Sequence, residues 1–187
     1  MWISQERTGL GLYDLSNHIV SLYHDFSTLK TLSLGSIKQM TEPRREGNVW
    51  VIPEGRNLIY ELGREGMRMK HIRTLSLPDK AKRHFTQTYE DRNGTLWAGT
   101  NNGLFTFSLR DNQWHTVCDT LGQVSALKED KQGNLWIGTT NKGLYQQSSK
   151  GKCKKIPSSL SITCLSVQED SLIWIGTQEG GVYALNP

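Results

Sequence analysis

Apolar residues in this chain come in short runs cut by glycine, asparagine and charged residues, and nowhere recur at helical spacing over any length. Leu96-Trp97-Ala98 and Leu135-Trp136-Ile137 are apolar at consecutive positions, the pattern of strands covered on both faces. Phe85, Val124 and Ile162 each stand twelve residues before a tryptophan. That spacing predicts an inner strand, a tight turn and a second strand. Asp91-Arg92-Asn93-Gly94 and Asp130-Lys131-Gln132-Gly133 supply the turns. Asp opens them because its carboxylate accepts backbone N–H bonds, and Gly closes them because it takes positive φ without a Cβ clash. Thr100, Thr139 and Thr177 then open a second hairpin, closed by Gly103, Gly143 and Gly181. Asn57–Leu62, Met67–Ile72, Leu10–Leu15 and His18–Tyr23 predict further strands. The fold class expected is all-β.

The runs repeat. Glu90-Asp91-Arg92-Asn93-Gly94-Thr95-Leu96-Trp97-Ala98-Gly99-Thr100, followed by Gly103-Leu104-Phe105, returns at 129–139 with Gly143-Leu144-Tyr145. It returns again at 168–177 with Gly181-Val182-Tyr183, where Gln168 stands at the Asp register and Asp170-Ser171 carries the turn. Fainter copies are Gly47-Asn48-Val49-Trp50 and Trp2-Ile3, the latter followed by Gly11-Leu12-Tyr13. Trp2, Trp50, Trp97, Trp136 and Trp174 are spaced by 48, 47, 39 and 38 residues. A period of about 40–50 residues with aromatic and glycine markers predicts β-propeller blades of four strands. The division expected is a partial blade at 1–34, a degenerate blade at 35–73, blades at 74–117 and 118–156, and a partial blade at 157–187, all in one propeller. The tryptophans are expected to pack between blades as core. Gly99, Gly138 and Gly176 mark close backbone approach.

Composition narrows the function. A net charge of +4 over 187 residues is small, where a nucleic-acid binder shows a stronger, clustered excess. No run of about 18 apolar residues offers a membrane helix, and no basic-then-apolar leader opens the chain. Cys118, Cys153 and Cys164 are odd in number and lack a Cys-x-x-Cys, so free thiols are expected rather than zinc or a disulfide framework. His18, His24, His71, His84 and His115 have no metal spacing, and no Gly-x-Ser-x-Gly elbow is present. Asp91 and Asp130 lack the later bidentate Glu of a calcium loop and read as turn caps. Neither a metal nor a cofactor is expected. Asn93-Gly94-Thr95 is a formal glycosylation sequon inside a turn. The basic clusters Lys80–Arg83 and Lys150–Lys155 read as solvated surface.

The pattern Glu-Asp-x-x-Gly-x-Leu-Trp-x-Gly-Thr-x-x-x-Gly-Leu-Tyr resembles the two-component regulator propeller repeat, strongly at 85–105, 124–145 and 162–183 and weakly at 36–60 and 1–13. The resemblance implies a periplasmic sensor domain of a hybrid histidine kinase of the Bacteroidetes type. It implies a glycan-derived oligosaccharide as the cue and no catalysis by this segment. No phosphoacceptor His motif or nucleotide-binding glycine box is found. The chain opens on a second strand and stops after a third, so a segment of a longer sensor is expected, or an arc that closes by self-association. Ligand contacts are expected where loops vary over the scaffold: the hairpins Asn101-Asn102, Asn141-Lys142 and Gln178-Glu179, and the crossings Pro78-Asp79-Lys80 with Arg83 and His84, Thr120-Leu121-Gly122 and Ser158-Ser159-Leu160. Two other readings stand beside this one. An enzyme resembling streptogramin lyases would need a His/Glu metal site, for which the crossings offer His84 alone. A protein-interaction propeller would show flat, charged loops.

Overall fold

The computed structural model describes residues 2–5, 9–14, 16–17, 19–22, 36–42, 48–65, 68–77, 83–148, 151–168 and 172–187. Leu15, His18, Tyr23, His24, Gly47, Met67, Pro78-Asp79-Lys80, Lys150 and the Asp170-Ser171 turn lie outside them. Every regular element among the described residues is a β-strand, and all pairing is antiparallel between chain neighbours. Two compact units form, Met1–His84 and Phe85–Pro187.

The first unit holds two sheets. One is β1 (Trp2–Gln5), β2 (Gly9–Asp14) and β3 (Ile19–Leu22). The other is β4 (Ile37–Thr41), β5 (Val49–Pro53), β6 (Ile59–Glu65) and β7 (Arg68–Leu75). Leu10 packs with Val49, Val51, Tyr60, Leu62 and Met69, so the sheets bury one layer of side chains between them. The second unit holds three sheets. The third sheet of the chain is β8 (Phe85–Glu90), β9 (Leu96–Thr100), β10 (Gly103–Ser108) and β11 (Gln113–Cys118). The fourth is β12 (Val124–Glu129), β13 (Leu135–Thr139), β14 (Gly143–Gln147) and β15 (Cys153–Ile156). The fifth is β16 (Ile162–Val167), β17 (Ile173–Thr177) and β18 (Val182–Leu185).

Register corrects one reading of the repeat. Leu104 pairs with Gly99 and Leu144 with Gly138, each two residues past the motif tryptophan. In the first sheet Trp2 pairs with Leu12, and Ser4, two residues on, pairs with Leu10. Gly9-Leu10-Gly11 therefore occupies the repeat position expected for Gly11-Leu12-Tyr13. A two-residue slip keeps side chains on the same face, so the tripeptide alone could not distinguish the two; the length of the hairpin decides. Leu10 is buried, as Leu104 and Leu144 are.

The tryptophans also diverge. Trp50 and Trp136 are 0% and 1% exposed, Trp97 is half-buried, and Trp174 is 37% exposed. Trp136 packs with Ile162, Leu165 and Ile173 of the next sheet, and Trp97 lies against the cluster of Val124, Leu127 and Leu135. Trp97 and Trp136 are each covered by the sheet that follows. No sheet follows Trp174 in this chain, so it departs from the expected core position.

Gly99 and Gly138 sit where the next sheet approaches closely. A Cβ on Gly99 would lie 2.6 Å from Val124 Cγ1, and one on Gly138 would lie 2.5 Å from Ile162 Cγ2. Both partners are the first residues of the next inner strand. At Gly176 the near atom is instead Cys164 Sγ of its own sheet, at 2.5 Å. Gly138→Ala is expected to cost about 1–3 kcal/mol through overpacking. In urea unfolding this cost should fail to add to that of Ile162→Ala, because that variant removes the methyl that is struck.

Candidate functional site

Each sheet exposes two ends made by different loops. At one end, the turn between first and second strands is locked by a carboxylate. Asp91 accepts bonds from Asn93 N and Thr95 N, both at 2.9 Å, and from the Trp97 indole at 2.8 Å. Asp130 accepts from Asn134 N at 2.8 Å, Asn134 Nδ2 at 2.9 Å and the Trp136 indole at 2.9 Å. Gly94 and Gly133 close these turns at φ +77° and +84°. The fifth copy keeps the backbone closure, with Gln168 N donating to Leu172 O at 2.9 Å, but offers no carboxylate at that register. Arg92 then ties one turn to the next sheet. Its Nε meets Glu129 Oε1 at 2.6 Å and its other nitrogens donate to Lys131 O and Asp130 O. The Glu129 side chain is only 4% exposed.

A recess of about 210 Å³ opens at this end, lined by Asp91, Asn93, Thr95, Trp97, Glu129 and Gln147 among others. The two carboxylates are already engaged, Asp91 by its turn and indole and Glu129 by Arg92. What the recess presents is mainly scaffold.

At the other end, the hairpins after the motif threonines rest on the crossings between sheets. Thr140 N donates to Gln123 O at 3.0 Å, and Gln178 N donates to Ser161 O at 2.9 Å. Gly103 N reaches Gly122 O at 3.2 Å, Lys142 Nζ reaches Thr120 O at 2.7 Å, and Ser161 Oγ donates to Thr140 O at 2.7 Å. Within each hairpin the threonine hydroxyl is the clasp: Thr100 and Thr139 donate to Gly103 O and Gly143 O at 3.0 and 2.8 Å. The result in the second unit is one hydrogen-bonded rim running through 101–103, 120–123, 140–142, 158–161 and 177–179. The first unit repeats the tie, with Glu54 N donating to Ser36 O at 2.7 Å.

The expected ligand residues fall on these loops. Asn102, Asn141, Lys142, Gln178 and Glu179 are exposed and Asn101 is half-buried, all on the rim of the second unit. Hydrogen bonding to its own backbone and to Ser161 holds the Glu179 carboxyl below its ordinary range. Exposed His84 and half-buried Arg83 belong to the first unit, where the Arg83 carbonyl accepts a bond from Asn57 Nδ2. Two residues were missed. Arg56 and Asn57, on the hairpin of the second sheet, line an open hollow of about 550 Å³ with Leu58, Ser76 and Leu77. The signal was present, since they occupy the same hairpin as Asn101 and Asn141, but Pro53 in place of Gly-Thr hid it. The sequence also gave no warning that Glu61, 2% exposed, would be satisfied by Arg73 Nε at 2.6 Å and Asn48 Nδ2 at 2.9 Å. That buried pair is structural.

Residues 81–102 and 120–141 match the family model described as two component regulator propeller. In these two stretches the chain resembles the two component regulator propeller repeat. Each matched stretch runs from the crossing or inner strand, through the capped turn and the tryptophan strand, into the hairpin. No curated protein matches the chain in sequence. Among solved structures it resembles the extracellular domain assigned to the hybrid two component system BT4673 from B. thetaiotaomicron, at 19% identity and TM-score 0.74, over 98% of this chain and 25% of that one. It also resembles the extracellular domain assigned to the hybrid two component system BT3049 of the same organism, at 21% identity and TM-score 0.57, over 97% and 31%. A third is PorZ, described as a surface component of the type-IX secretion system of Porphyromonas gingivalis, at 15% identity and TM-score 0.72, over 98% and 30%. The fold is a β-propeller, with the sheets as blades. The chain spans about a quarter to a third of the length of these structures. Among the described residues no helix is long and apolar enough to cross a membrane.

Proposed function

We propose that this chain is a ligand-recognising segment of a sensor in a two-component signalling system, working in the periplasm, and that its cue is a glycan-derived oligosaccharide. The observation that carries the reading is the rim of the second unit. It sets exposed amide and charged side chains from three successive hairpins on one hydrogen-bonded ledge, over a scaffold whose opposite turns share one backbone closure. Neutral amides and single charges on a fixed ledge suit the alternating donors and acceptors of sugar hydroxyls. The repeat family and the extracellular sensor domains among the structural relatives support the signalling part of the reading. On this reading the segment recognises and does not catalyse. Phosphotransfer belongs to other parts of a longer chain, whose remaining blades, or a second copy, complete the propeller. Neither nucleic acid nor membrane is a partner of this segment.

The test is calorimetry of the full chain against a panel of neutral and acidic oligosaccharides. A binder is expected, and Asn141→Ala combined with Gln178→Ala should weaken it at least about tenfold, the effect of losing one or two polar contacts. Asn93→Ala, at the opposite end, should leave affinity unchanged. Binding that survives the hairpin variants and fails with Asn93→Ala would move the site to the turn end. A panel without any binder would remove the carbohydrate assignment.

A further inference from the structure

β5 and β6 of the second sheet are joined by Glu54-Gly55-Arg56-Asn57-Leu58, five residues where β9 and β10 are joined by two. Gly55 turns the chain at φ +68°. Ile59 pairs with Leu75, so Asn57-Leu58 before β6 and Ser76-Leu77 after β7 run past the end of that ladder. These four residues and Arg56 line the open hollow of about 550 Å³. Leu77 is 3% exposed and Leu58 is half-buried, which gives the hollow an apolar wall. The Asn57 amide is fixed by its bond to the Arg83 carbonyl. Arg56 is exposed, and among the described residues its guanidinium has no hydrogen bond or ion pair. Arg73 and Arg92, by contrast, are spent on the buried carboxylates of Glu61 and Glu129. Among the described residues no acid lines the hollow.

We propose that this hollow is a carboxylate subsite, in which Arg56 takes the acid group of a uronic acid residue. The subsite rests on the carbohydrate reading above and narrows it, because it makes part of the cue an acidic sugar. A guanidinium holds a carboxylate through two parallel N–H···O bonds in one plane, a geometry that an ammonium lacks. No internal ion pair has to break before it binds. Charge selects a monoanion. Arg56 brings one positive charge, and exposed Glu54 stands two residues away on the same hairpin, so a phosphate dianion finds no surplus of cation. The rest of the hollow suits the rest of a sugar. Leu58 and Leu77 offer apolar surface to the C–H face of a pyranose ring, while Asn57 and Ser76 offer polar groups to its hydroxyls. The volume falls in the range of about 300–1,000 Å³ found for small-molecule sites. The recess of the second unit is the opposite case, since Asp91 and Glu129 line it and would repel an acid.

The experiment is calorimetry of the full chain with a trisaccharide of galacturonic acid and with its methyl ester, which keeps the shape and removes the charge. The acid is expected to bind at least about tenfold tighter than the ester. Arg56→Gln should abolish that difference, and Arg56→Lys should restore only part of it. Arg56 is exposed, so both variants are expected to melt as the parent does. Equal binding of acid and ester, or a preference for the acid that survives Arg56→Gln, would overturn the subsite and leave the carbohydrate reading in place. Displacement of the trisaccharide by inorganic phosphate at lower concentration than by acetate would also overturn it, by making the hollow a phosphate site. If neither the acid, the ester nor any neutral oligosaccharide binds, the subsite and the carbohydrate reading fall together.

Discussion

Trp136→Ala is expected to destabilise the chain by about 4 kcal/mol, while Trp174→Ala costs about 1 kcal/mol. The same motif letter carries different weight because burial differs. Trp136 is 1% exposed and packs with Ile162, Leu165 and Ile173. Removing an indole from such a site loses its transfer free energy and leaves a cavity, about 3–5 kcal/mol together. It also takes one donor from the buried Asp130 carboxylate. Trp174 is 37% exposed, so much of its surface is already in water and its loss belongs with ordinary partly exposed substitutions. Urea unfolding followed by far-ultraviolet circular dichroism, which does not depend on the deleted fluorophore, measures both. Equal costs would mean that burial by the following sheet is not what makes the motif tryptophan matter.

Asp130→Ala is expected to cost about 3 kcal/mol, and Asp130→Asn about half as much. The Asp130 carboxylate is 2% exposed and accepts three bonds, two from Asn134 and one from the Trp136 indole. Bonds to a charged acceptor are each worth more than neutral ones, and a buried indole N–H left unpaired has its own desolvation cost. Asparagine keeps one acceptor oxygen but turns an NH₂ toward donors. The fifth repeat carries a related change: Gln168 holds the Asp register, and its tryptophan is the exposed one. In the third and fourth sheets the capping carboxylate bonds the motif indole directly, and a double-mutant cycle of Asp130→Ala with Trp136→Phe should show coupling of about 1 kcal/mol or more. A purely additive pair would mean that the Asp–Trp bond contributes nothing.

Much of this protein could be read from local pattern. The twelve-residue interval from Phe85, Val124 and Ile162 to a tryptophan marked three strand pairs. Asp-x-x-Gly marked their turns, because carboxylate capping and positive φ are properties of a few adjacent residues. The period marked the propeller, and the loops that vary marked the candidate ledge. The bond from the motif Asp to the motif Trp was not anticipated, although their fixed interval of six residues was in view. That interval places the carboxylate across a hairpin from the indole only once the strands pair. Arg56 and Asn57 were missed because proline altered the marker that located the other hairpins.

The features legible in the residues are those that depend on neighbours along the chain: the all-β class, the turn chemistry, the repeat and the glycines that had to be glycine. The others depend on neighbours in space. The register of the first sheet is one case, because a slip of two keeps every side chain on its face. The unequal burial of Trp50, Trp97, Trp136 and Trp174 is another, because the cover of Trp97 and Trp136 comes from the following sheet and not from their own.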